Sequence, residues 1–152
     1  MGKSKYVVAS LCLALVFSVA FLLGSCTKTD EAQGGKKLMT DGAKLMIDGN
    51  KMVMDEMTNK EMIKEGPMMD SHAKMMEGEK LIKDGQAIME GEKMMDGKQM
   101  MVDGAAMMMD GCKMMSDEME KTGMAKEGML ADGEKMIMDG HKMLMDGSAM
   151  VK

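Results

Sequence analysis

Glycine returns every seven residues over most of this chain, usually just after aspartate, and that spacing constrains the fold more than any other feature. Glycines stand at 35, 42 and 49, at 97, 104 and 111, and at 133, 140 and 147. Seven residues are close to two helical turns, so this beat holds each residue type on one stripe of a helix. A unit numbered from its glycine, as in GKQMMVD at 97–103, has methionine at positions 4 and 5. Positions 1 and 4 are then expected to form the seam, with lysine and aspartate off it. Met, Lys, Ala and Glu favour helix, whereas a strand would alternate and use branched or aromatic residues. Reading each Asp-Gly as a hairpin turn between short strands is the rival, but the runs of methionine do not alternate.

The fold class expected is therefore all-α. Helices are predicted near 36–64, 68–90, 98–121 and 125–150, as antiparallel hairpins or a loose bundle with Met and Gly along the seams. A continuous helix over 68–121, with most methionines on exposed stripes, is the alternative. Breaks are visible at Gly66-Pro67, since proline disfavours helix in the residue before it, and at 121–123 (KTG). Interior glycine costs a helix about 1 kcal/mol relative to alanine. Close helix–helix approach along the glycine stripe or a bound ligand must offset that cost, or the chain alone is partly disordered. The same Gly/Met faces allow a homo-oligomer.

The chain is also duplicated. Residues 48–78 align with 110–140, an offset of 62 (48 to 110), and 14 of the 31 positions are identical. The register extends to two copies, 35–90 and 97–152, joined near 91–96.

The N-terminus is of another kind. Lys3 and Lys5 precede an uncharged, mostly apolar run over 6–23, which reads as an export signal over 1–25. That run ends in LGSC at 23–26. This resembles the lipobox of bacterial lipoproteins, which implies cleavage before Cys26 and acylation of that cysteine. Residues 26–34 would be the lipidated cysteine and a flexible polar tether. The alternative is a membrane anchor that is never cut, since the run could just span a bilayer. Thr27, where the inner-membrane retention signal of enteric bacteria would have aspartate, implies by the same resemblance an outer-membrane protein facing the periplasm. The expected partners are the membrane, through the lipid anchor, and soft metal ions.

Composition excludes several functions. All three aromatics (Tyr6, Phe17, Phe21) lie in the signal, and acidic residues outnumber basic ones by 25 to 20. A chain with no basic excess and no aromatic platform is not expected to bind nucleic acid. No nucleophile–base pairing or phosphate-cradling loop is visible, so an enzyme is not expected.

What remains is sulfur. Of 29 methionines all but Met1 follow Cys26. Thioethers are soft, uncharged ligands suited to Cu(I) and Ag(I), and residues three and four apart share a helix face. The two histidines and the one other mature cysteine are each flanked by methionine. His72 has Met69 and Met75, Cys112 has Met109 and Met115, and His141 has Met138 and Met145. Met69-x-x-His72-x-x-Met75 resembles the Met-x-x-His-x-x-Met motif of periplasmic silver- and copper-binding proteins of resistance systems. His141 departs from the motif at Leu144, and Cys112 replaces its histidine. The expected function is an envelope lipoprotein that binds or buffers Cu(I) or Ag(I). A helical spacer or interaction lipoprotein with Met as core filler, or an oxidant sink through methionine sulfoxide, would share the same composition.

Overall fold

The computed structural model describes the backbone of residues 4–63, 66–89 and 93–152, and side chains within those ranges from residue 30 onward. Four helices follow one another, α1 (Ser4–Asn59), α2 (Pro67–Met89), α3 (Met94–Thr122) and α4 (Met129–Met150), and no strand occurs among the described residues. They pack as two antiparallel pairs, α1 with α4 and α2 with α3, joined into one bundle. The all-α expectation holds, and α2 and α3 fold back on each other instead of running on as one long helix.

Glycine makes the pairs. A Cβ on Gly42 would sit 2.6 Å from the carbonyl oxygen of Gly140, and one on Gly104 would sit 2.6 Å from that of Gly78. Gly35 faces Gly147, Gly49 faces Gly133 and Gly85 faces Gly97 in the same way. The obstructing atoms are backbone, so no side chain fits. Each facing pair is equidistant in sequence from Gly91, as if one long glycine-faced hairpin had been folded in half. Dispersion and Cα–H···O contacts between touching backbones are what offset the glycine cost. Each pair also joins the first helix of one copy to the second helix of the other, so the two copies interlock.

The seam differs from the expected one. Position 5, not position 4, is fully buried beside the glycine: Met39, Met46, Met101, Met108 and Met115, with Met75, Ile82, Ile137 and Leu144 in α2 and α4. Position 4 (Leu45, Met100, Met107) is only half-buried. At about 100° per residue, position 5 lies about 40° and position 2 about 100° to one side of glycine, while position 4 lies about 60° to the other. Position 2 is buried in α1 and α3, at Ala43, Asn50, Met57, Ala105, Cys112 and Met119. This draws the buried arc to that side, because α1 and α3 must bury a second face between the two pairs. Polar contacts cross there, from Asn50 Nδ2 to Glu79 on α2 and from Ser116 Oγ to Glu134 on α4.

The breaks are built alike in both copies. Met62 N–H donates to the Met57 carbonyl and Met124 N–H to the Met119 carbonyl, each at 2.9 Å, while Glu61 and Gly123 close the shorter bonds to Thr58 and Glu120. This is the Schellman arrangement, with its left-handed residue at Gly123 (φ 69°) and Glu61 (φ 51°). Helix α4 begins at Met129, later than the expected 125, because 124–127 take no regular structure before Gly128 turns the chain. Residues 30–34, read as part of a flexible tether, belong to α1. Gly35 is in contact with Met150, Gly147 and Val151 at the end of α4, which holds this turn in place.

Candidate functional site

Residues 1–25, read as an export signal, and Cys26 lie outside the residues whose side chains are described. Among the described residues no helix is long and apolar enough to cross a membrane.

The three methionine-flanked residues fall into different surroundings. His141 is half-buried on α4, with Met138 58% and Met145 41% exposed. Met138 precedes it by three residues and Met145 follows by four, so helical spacing puts both about 40–60° to the same side of the imidazole. Two accessible thioethers and one imidazole thus share a face.

His72 on α2 is half-buried too, but its neighbours divide. Met75 is fully buried, whereas Met69 is 56% and Met76 47% exposed. Met69 and Met76 bear the same minus-three, plus-four relation to His72 that Met138 and Met145 bear to His141, and Met75 lies on the opposite side. The exposed set is therefore Met69, His72 and Met76. Seven-residue motif matching picks Met75 and overlooks Met76. The pattern shared by both helices, Met-Asp-(Ser/Gly)-His-x-x-x-Met over 69–76 and 138–145, is the signal that finds it.

Cys112 is enclosed. It is buried on α3, with Met115 fully buried and Met109 packed on the core. Burial, reinforced by the Glu134 carboxylate and opposed by Lys126, pushes its thiol up to about 12. A cysteine binds metal as thiolate, so a metal arriving here would have to displace a proton and open the core.

Among the described residues no three of His, Cys, Asp and Glu converge, and the two histidine-centred sets each combine thioethers with a single imidazole. No family model, curated protein or solved structure matches this chain.

Proposed function

We propose that this protein is a membrane-anchored lipoprotein of the bacterial envelope that binds or buffers Cu(I) or Ag(I), with Cys26 as its lipid anchor. The supporting observation is the repeated surface set: Met69, His72 and Met76 on α2, and Met138, His141 and Met145 on α4. In each, two exposed thioethers stand on one side of a half-buried imidazole. A low-coordinate soft ion needs two or three such donors, and Met suits Cu(I) where it does not suit Mg or Ca. The Cys112 set would be a third, slower site, because the ion must enter the core to reach it.

Titrating the protein with Cu(I) under reducing conditions, in competition with a Cu(I) chelator, should show sub-micromolar binding. Replacing His72 and His141 by alanine and the four exposed methionines by leucine should remove the two surface sites. Absence of competition by the unaltered protein would overturn the metal reading.

The second reading is a helical spacer or interaction lipoprotein. What favours it is the fully buried methionine at position 5 of half the units, interchangeable there with Ile, Leu and Val, where Met serves as core filler. The leucine variants separate the two: a spacer keeps its stability and has no ligand to lose.

A further inference from the structure

Methionine also gathers where the helical periodicity stops. In both copies the Schellman turn brings a methionine back over the helix it ends, Met62 over Met57 and Met124 over Met119. Residues five apart share no helix face, so a search at i±3 and i±4 passes over these pairs. The two turns meet at one end of the bundle, where Met62 from copy 1 joins Met119 and Met124 from copy 2 around a cavity of about 290 Å³, closed further by Ala125 and Leu130. Met119 is 1% and Met124 38% exposed, so the methionine lining runs from the interior to the surface. Lys60 and Glu127 also line the cavity, and Glu56 holds the Lys60 ammonium at 2.8 Å. That pairing offsets the lysine's charge and reduces its repulsion of a cation.

We infer that this cavity is a thioether-only site for a monovalent soft metal ion, with Met62, Met119 and Met124 as its three ligands. Three uncharged, polarisable donors match the low coordination of Cu(I) and Ag(I) and offer nothing to a hard cation. Methionine side chains have the freedom to close on an ion from the walls of a roomy cavity. The site also differs from the helix-face sets in kind. Its ligands come from both copies, so a bound ion would tie together the two loops on which the fold in half depends. It rests on the soft-metal reading given above, and it places a thioether-only site away from either histidine.

The test uses the full chain with Cys12, Cys26 and Cys112 changed to alanine, because a free thiol takes Ag(I) ahead of any thioether; it is labelled at the methionine methyl groups and titrated with Ag(I), which needs no reductant. The first equivalent should shift the Met62, Met119 and Met124 methyl signals. The triple variant Met62→Leu, Met119→Leu, Met124→Leu conserves side-chain volume and should bind that equivalent about tenfold or more weakly. The variant His72→Ala with His141→Ala should keep it. A triple-leucine protein that still takes up the first equivalent unchanged would overturn the cavity site while sparing the surface sets. No Ag(I) uptake by the cysteine-free parent protein would overturn both.

Discussion

Helices α1 and α4 meet at three glycine-on-glycine crossings, whereas α2 and α3 meet at two and set Ser71 against Gly111 at the third. Where glycine faces glycine, a Cβ on either side would stand 2.5–2.8 Å from the opposing carbonyl oxygen. At the exceptional crossing, a Cβ on Gly111 would stand 3.0 Å from the Ser71 carbonyl oxygen, and its tightest contact would be the movable Cγ of Met75. Ser71 is itself fully buried, and its Oγ donates to the Gly111 carbonyl at 2.7 Å. One side chain is admitted because the pair opens slightly there and because its hydroxyl finds an acceptor. Buried polar groups are tolerated on that condition. Everywhere else the backbones touch and the position is closed to any residue but glycine.

The largest effect should come from forcing a side chain into a middle crossing. Gly42→Leu and Gly104→Leu should each cost more than about 3 kcal/mol by urea denaturation, since the obstructing atoms are backbone and cannot rotate away. With the same small side chain at both places, Gly111→Ala should cost clearly less than Gly104→Ala. Equal costs at Gly104 and Gly111 would mean that the difference between crossings is not real.

Between the pairs the contrast is Asn50 in copy 1 with Cys112 in copy 2, which occupy equivalent places 62 residues apart (50 to 112). Both are buried, and only Cys112 titrates. Its thiol is raised from 9.0 to about 12 by burial first and the Glu134 carboxylate second. The folded chain therefore keeps a proton that the unfolded chain releases above about pH 9. The stabilisation is complete below that pH and is lost as pH rises toward 12, at up to about 1.4 kcal/mol per pH unit. Cys112→Ala should flatten this part of the stability–pH curve, whereas Asn50→Ala should leave it unchanged. The same burial predicts that Cys112 resists alkylation at pH 8 until the protein unfolds.

The hydroxyl at the odd crossing should be worth less. Ser71→Ala removes a buried hydrogen bond and leaves the Cβ in place, so a loss of about 1 kcal/mol is expected. Ser71→Gly should also restore the crossing seen in the other pair. If Ser71→Ala were neutral, the hydroxyl would not be what holds the α2·α3 pair at that end.

Much of this was legible in the sequence. Four helices, their approximate ends and a glycine stripe at the helix contacts follow from a seven-residue beat broken at Gly66-Pro67 and at Gly123. The pairing of α1 with α4 was not, because it depends on where two loops bend and on backbones approaching across the copies. The seam expected from the beat, positions 1 and 4, lies one stripe over. The heptad satisfies that choice and the observed 1 and 5 equally, and only the burial of Ala43, Asn50, Ala105 and Cys112 at position 2 separates them. At the candidate sites, spacing of three found Met69, Met138 and both histidines. It took buried Met75 over exposed Met76, since a linear motif does not record which side of a helix faces water. Met62 and Met124 were out of its reach, because the turns that place them are not periodic.

The smallest effect tests the comparison between the copies at its most local point. Glu61 and Gly123 occupy the same place, 62 residues apart (61 to 123), and close the same pair of backbone bonds, yet only Gly123 is suited to positive φ. An L-residue with a Cβ pays about 1 kcal/mol for the left-handed conformation, and glycine avoids it. Glu61→Gly should therefore stabilise the protein, by less than about 1 kcal/mol, because glycine also gains freedom in the unfolded chain. Glu61 has an interaction of its own to lose as well. Gly123→Ala should destabilise by about the same amount. Thermal melts would show the pair as shifts of a few degrees in opposite directions. A lower melting temperature for Glu61→Gly would mean that copy 1 ends its first helix through the glutamate side chain, and that the two turns share a shape without sharing its cause.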